Sequence, residues 1–443
     1  MTSNGIHSQQ SQFDVAIIGG GITGLSLAVG LLRRNVNFTV YEQASASREL
    51  GAGIGFTANA ERAMKALDPR IHAHFKKIAV QNGDDFFRYV NGLSSGSRPG
   101  NGDDDEADVM FKIYLGERGF EGCRRSDFLA GLLELLPAES LRFGQRVESV
   151  NDDNGRVTLN FHNGSTAQAD VVIGCDGIKS QLRQIMFGAG FPAEYTHKFA
   201  FRGLIPMDQA RAALGERKTR TRIMYLGPDG HSLTFPVAEG KMLNVVTFVT
   251  DPGPWSGGLD EGKIVMPADR SEAIAAYEAF GPDVRTIISL LPQQLDKWAI
   301  FDTYDHPPPS YAKGRLCLVG DAAHAAAPHH GAGAGCGIED ALALAELLAK
   351  VAGEGVPAER SPRRVVDALA VYNDVRYERS QWLVQTSRQV GHMYEWQDPV
   401  VGRDAGRFGE EFAKRCHRIW DYDTEKMVAE AMELFEKRSE RSD

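Results

Sequence analysis

Residues 13 to 42 constrain this chain more than any other stretch. The run Phe13-Asp14-Val15-Ala16-Ile17-Ile18 is apolar in the way a parallel strand covered on both faces is. Gly19-Gly20-Gly21-Ile22-Thr23-Gly24 follows at once, and Leu25 to Arg34 then reads as a helix. Each spaced glycine has a physical task. Gly19 makes the tight turn, Gly21 lets backbone approach a pyrophosphate, and Gly24 lets helix and strand pack closely. The helix's free N–H groups and positive end then face the phosphates. A second strand, Asn37 to Tyr41, ends at Glu42, whose carboxylate can accept hydrogen bonds from a ribose hydroxyl. The unit predicts a dinucleotide-binding α/β domain without saying which dinucleotide.

At 443 residues the chain exceeds one ordinary core, so joined domains are expected. A net charge of -10, with no Lys/Arg stripe, argues against nucleic acid as a partner. The five cysteines never form Cys-x-x-Cys, which points to neither disulfides nor a metal site. No apolar run reaches the length of a membrane span. Residues 1–12 are rich in Ser and Gln without the apolar core of a signal peptide, and a flexible N-terminus is expected there. Together these readings predict a cytoplasmic protein. The acidic run Asp103-Asp104-Asp105-Glu106 reads as a solvated loop.

Two more motifs repeat the strand-then-turn build. Val171 to Ile173 is a buried strand with Asp176-Gly177 at its end, followed by Ser180 and Arg183. Arg315-Leu-Cys-Leu-Val-Gly320 is another, with Asp321 at its tip. Pro328-His-His-Gly331-Ala-Gly333-Ala-Gly335 then looks too Gly-rich for regular structure and leads into a helix from about Gly337 to Val351. Strand tips at the carboxyl edge of such a sheet are where ligands bind.

The three motifs in this order resemble the single-component FAD-dependent aromatic monooxygenases, the family of salicylate and hydroxybenzoate hydroxylases. The resemblance implies FAD as cofactor and NADPH (or NADH) as transient co-substrate, with dioxygen as the oxidant. It implies cofactor contacts for Gly19, Gly21, Gly24 and Glu42 at the adenosine end and for Asp176 near the pyrophosphate. Asp321 would bond the ribityl chain, while the loop that carries Pro328, Gly333 and Ala334 would bring backbone N–H groups to the flavin ring. Arg125 matches an arginine that contacts FAD. Gly53 and Gly55, in Gly51-Ala52-Gly53-Ile54-Gly55, match a segment beside the ring, with a structural turn as the alternative. The absence of a second Gly-x-Gly-x-x-Gly unit argues against a separate NADPH domain.

Residues 195–305 change character. Four apolar β-rich runs there, containing Arg202, Tyr225, Phe235 and Phe248, predict an antiparallel sheet inserted between FAD-binding portions. The implied chemistry needs a phenolate. A phenol with a pKa of about 10 is mostly neutral at pH 7, and a buried cation can lower that by roughly 1 to 3 units. Arg202, in an otherwise apolar strand, is the candidate; pairing with a carboxylate at the sheet edge is the alternative. The Phe-Arg-Gly-Leu and Leu-Thr-Phe-Pro strands are similar to those of fungal flavin monooxygenases of polyketide pathways, which dearomatise resorcinol-type aldehydes or ketones. Several of those have Tyr where Phe235 stands. Tyr114 is the matching candidate from the other side of the pocket, and a core tyrosine is its alternative. No second cation beyond Arg202 is evident for a carboxylate substrate.

The expected organisation is therefore a Rossmann-like FAD/NAD(P)-binding α/β fold of the hydroxybenzoate hydroxylase kind. Residues 13–194 and 306–390 form the FAD-binding domain, 195–305 the inserted antiparallel β-sheet, and 391–443 C-terminal helices that could cover the site or contact a second subunit in a homodimer. The expected activity is hydroxylation of a phenolic small aromatic substrate at a carbon ortho to the phenolate. The alternatives are a decarboxylating salicylate-type hydroxylase and, outside enzymes of this class, a non-catalytic dinucleotide-binding protein. An NAD-dependent dehydrogenase would leave the second and third motifs without a role.

Overall fold

The computed structural model describes residues 13–45, 53–95, 108–116, 120–153, 155–255, 257, 263–353 and 361–440. The N-terminal twelve residues, Gly51-Ala52 and the acidic run at 103–106 lie outside them. A six-stranded sheet runs in the order Ala312–Lys313, Leu316–Leu318, Val171–Gly174, Asp14–Ile18, Asn37–Tyr41, Leu141–Arg142. All its pairings are parallel except the first. Four of the five residues in Asp14–Ile18 are buried, as a strand covered on both faces requires. Helices Ile22–Arg33 and Gly333–Ala352 pack on it, their Ala- and Leu-rich faces closing one apolar core.

The second sheet has eight strands, ordered Val265–Asp269, Gln294–Asp302, Glu194–Pro206, Met242–Thr250, Gly230–Val237, Ile223–Gly227, Phe86–Asn91, Val109–Tyr114. Six come from the β-rich middle segment. The last two come from residues 86–114 and join through a parallel pairing of Phe86–Asn91 with Ile223–Gly227. Every other pairing in this sheet is antiparallel.

The C-terminal segment is helical. Ser361–Tyr394 runs for 34 residues, and Ala405–Trp420 and Thr424–Glu440 follow. Phe408 of the middle helix packs on Phe111 with ring centres 4.8 Å apart, so this helix seals the edge of the eight-stranded sheet. Arg376, Arg379 and Arg388 form a packing face of the long helix. Arg376 is fully buried between Glu339 (2.8 Å) and Asp340 (2.7 Å), Arg379 also pairs with Glu339, and Arg388 pairs with Asp302. These ion pairs bolt the long helix onto both sheets' domains.

Candidate active site

The three motifs meet because their strands are neighbours. Leu316–Leu318, Val171–Gly174, Asp14–Ile18 and Asn37–Tyr41 lie side by side and parallel, so Asp321, Asp176, Gly19 and Glu42 all follow carboxyl ends at one sheet edge. The strand order switches there: the connection from Asp14–Ile18 leads to Asn37–Tyr41 on one side, while Val171–Gly174 has Leu316–Leu318 on the other, and a crevice opens at such a switch point. Gly19 has φ +107°, and a Cβ on it would stand 2.4 Å from the Cys175 carbonyl oxygen. A Cβ on Gly24 would stand 2.1 Å from the Gly19 carbonyl oxygen, whereas one on Gly21 would meet nothing within 4 Å. Gly24 thus brings helix to turn, and Gly21 leaves room at the helix N-terminus.

Glu42 accepts the Gly20 N–H (2.7 Å) and the Ala44 N–H (2.8 Å), so its carboxylate also ties the glycine turn to the second strand. Asp176 faces its own turn. It accepts the Ser180 hydroxyl (2.6 Å) and the Leu182 N–H (3.0 Å); burial pushes its carboxyl up and those bonds partly oppose that. Arg183 donates to the carbonyls of Ile178 (2.6 Å) and Ala322 (2.7 Å). That guanidinium latches the second motif to the third.

Between the two sheets lies a cavity of about 300 Å³. One wall is a row across three strands: Arg202 is paired in register with Val246, and Val246 with Leu233. Phe235 and Phe248 extend this apolar surface. Facing it are Asp321, Pro328, Gly331, Gly333 and Ala334, while Gly53, Ile54 and Gly55 close a side. Arg125 and Arg222 complete the charged lining. Among the described lining residues there is no hydroxyl.

Arg202 has no carboxylate partner among the described residues, its Nε is unbonded, and its guanidinium lies over Trp298. It is partly buried and lines the cavity. Burial, and then the Arg125 charge, lower its pKa to about 10, which leaves it a cation at neutral pH. Asp321 also exposes its carboxylate to the cavity. Burial raises its pKa, against the pull of His324, Arg125 and Arg183.

The structure does not bring Tyr114 to Arg202. Side chains alternate along a strand, and in Val109–Tyr114 it is Ile113 that turns inward, at 4% exposed. Tyr114 is 52% exposed and packs on Phe86. The Gly-rich stretch is also more regular than its composition suggests. Pro328–His330 forms one 3-10 turn, and the long helix begins at Gly333, four residues before Gly337. Gly333 and Ala334 therefore present a helix N-terminus to the cavity. His329 and His330 are buried. Desolvation holds both neutral, His330 with a pKa of about 3, and they pack behind the wall.

Sequence reasoning missed Arg222. A lone arginine in an apolar β run is the pattern that singles out Arg202, and Arg222 in Thr221-Arg222-Ile-Met-Tyr225-Leu shows it too. The expectation of no second cation is thereby overturned.

His324, Cys336 and Asp340 have ligand-capable atoms within 4.8 Å of one another. Arg376 already donates to Asp340 (2.7 Å) and Cys336 (3.3 Å), occupying the place a cation would take. Burial also keeps the Cys336 thiol protonated. This cluster is a structural brace.

A family model described as an FAD binding domain matches residues 12–385. The chain is 51% identical to the FAD-dependent monooxygenase pigN of Monascus ruber, over 98% of this chain and 100% of that one. It is 40% identical to the salicylate hydroxylase asL1 of Sarocladium schorii, over 97% and 92% of the two chains. A solved salicylate hydroxylase substrate complex superposes with a TM-score of 0.81 at 32% identity, covering 95% of this chain and 98% of that one. These likenesses bear out the fold expected from the motifs. The chain belongs to the FAD-binding family of flavin hydroxylases and is an FAD-dependent, NAD(P)H-consuming monooxygenase.

Proposed function

We propose that this enzyme hydroxylates a resorcinol-type aldehyde or ketone of polyketide origin, at a ring carbon ortho to an ionised hydroxyl, giving a dearomatised quinol. The observation that carries this reading is Arg202: a cation without a carboxylate partner among the described residues, on an apolar wall facing the residues that fit a flavin. A phenolate is the ligand such a wall favours, because the low-dielectric surroundings strengthen the attraction and the apolar face stacks on the ring.

The site fits FAD. Gly21 leaves open space at a helix N-terminus, Asp321 offers an unbonded carboxylate, and Gly333 and Ala334 offer helix N–H groups. Gly19, Gly21, Gly24 and Glu42 would hold the adenosine end, with Asp176 shaping the adjoining turn. Arg125, Asp321, Pro328, Gly333 and Ala334 would hold the flavin end, beside Gly53 and Gly55. Bound FAD, reduced by NAD(P)H, supplies activated dioxygen for transfer of one oxygen atom.

The chain's own residues do the rest. Arg202 stabilises negative charge on the phenol oxygen, lowering its pKa so that the ring is nucleophilic at neutral pH. Leu233, Phe235, Val246 and Phe248 exclude water and fix the ring plane. Among the described lining side chains no hydroxyl is present, and the groups that meet the phenolate's charge are cations. Five buried free cysteines suit a reducing cytoplasm.

Arg222 favours a second reading, decarboxylating hydroxylation of a salicylate-type acid, because a second cation could hold a carboxylate. Product mass separates the two. Oxygen gain on a methylated resorcinol aldehyde, with salicylate untouched, supports the first. Oxygen gain with loss of carbon dioxide from salicylate replaces it with the second.

A further inference from the structure

We propose that Arg222 is the specificity residue for this reaction, binding a second substrate oxygen that carries full or partial negative charge on a ring substituent. This rests on the phenol-hydroxylating reading above. Arg222 is 5% exposed and lies on the cavity wall. It immediately precedes strand Ile223–Gly227, in which Met224 pairs with Leu233. Two residues before Met224, Arg222 shares its face of the sheet, the face on which Arg202, Val246 and Leu233 line the cavity. Three interstrand spacings separate the strands of Arg202 and Arg222, about 14 Å of backbone. Arg202 and Arg222 thus line one cavity from strands three places apart in the sheet.

The guanidinium of Arg222 is held in place. It stacks over Phe87 at 3.7 Å and Phe120 at 4.8 Å. Its backbone N–H is fixed by Asn82 (2.7 Å). Its side chain, however, neither pairs with a carboxylate nor donates a hydrogen bond among the described residues. Its nearest ionisable neighbours do not compensate the charge: Tyr89, Tyr394 and Cys416 are kept protonated and His330 neutral, all by burial. Stacking on aromatic faces recovers only part of what burying an ion costs. The donors facing the cavity are thus left for a ligand. Acyl carbonyl and carboxylate are the two chemical sources of such an oxygen. The carbonyl of a resorcinol aldehyde or ketone, conjugated to the phenolate, carries part of its charge.

The test is a substrate pair in Arg222→Met and Arg222→Lys, each loaded with FAD: a methylated resorcinol aldehyde and the same ring without its acyl group, with salicylate as a third arm. In the wild type, kcat/KM favours the oxygen-bearing substrate. Arg222→Met is expected to cut that preference about tenfold to hundredfold through KM, with Arg222→Lys between the two. Loss of preference on the aldehyde identifies the carbonyl as the partner; loss on salicylate identifies the carboxylate. An unchanged preference overturns the proposal, as does loss of bound FAD and melting stability in both variants, which would make Arg222 a packing staple. A wild type that hydroxylates none of the three refutes the functional reading itself, a result separate from any change in preference.

Discussion

The guanidinium carbon of Arg202 lies 4.8 Å from the centre of the Trp298 ring. Trp298 is opposite Ala200 in the neighbouring strand, so it meets Arg202 on the diagonal of the same face. The ring holds the cation without neutralising it, which a carboxylate would do. Trp298→Leu should therefore raise KM for the phenol by about threefold to tenfold while leaving FAD content intact. Steady-state kinetics with flavin absorbance checks both.

Tyr114 gives the opposite expectation. Exposed on an edge strand and packed on Phe86, it is out of reach of the cavity. Tyr114→Phe should leave kcat/KM within about twofold and the product unchanged, since surface changes away from special contacts have small effects. A change in the product's handedness, read by circular dichroism, would place this residue at the site after all.

Gly24→Ala should yield a protein that no longer purifies yellow. The added Cβ would stand 2.1 Å from the Gly19 carbonyl, and the turn cannot move without displacing the phosphate site. Gly21→Ala, with nothing within 4 Å, should fold with unchanged melting temperature yet bind FAD more weakly. The pair separates packing from cofactor contact.

Acid should loosen the sheet-to-helix joint at Glu395. Its carboxylate accepts from His231 Nδ1 (2.9 Å), Lys198 and Thr250. Burial pushes the Glu395 pKa up, but His231 and Lys198 outweigh it and hold it at about 2, below the usual 4.5. Depressed on folding, it stabilises the fold above about pH 4.5, and that contribution, about 3 kcal/mol, is lost as pH falls toward 2. Burial also lowers the His231 pKa, despite Glu395, which adds loss in the same direction below pH 6.5. Melting temperature should drop from pH 6 to 3, and less steeply in Glu395→Gln.

Much of this was legible in the chain. The strand–glycine–helix unit reads directly because parallel strands are uniformly apolar and the glycine spacing has steric causes. The helix start at Gly333 did not, because glycines usually break helices. Here a Cβ on Gly335 would meet Ala60 at 2.9 Å and one on Gly337 would meet Thr23 at 2.3 Å, so those glycines serve close packing. Tyr114 and Ile113 are adjacent, and nothing local says which parity faces the cavity. That depends on strands Phe86–Asn91 and Val109–Tyr114 joining a sheet formed more than a hundred residues later. The buried partners of Arg376 are likewise non-local, whereas Arg222 was readable by the criterion that found Arg202.

Arg202 is proposed to ionise the bound phenol. The direct measurement is an absorbance titration of a resorcinol aldehyde bound to the FAD-loaded enzyme, against the same titration with Arg202→Gln. The bound pKa should lie roughly 1 to 3 units below that of the free phenol, with the shift lost in the variant. The same bound pKa in both proteins would contradict it.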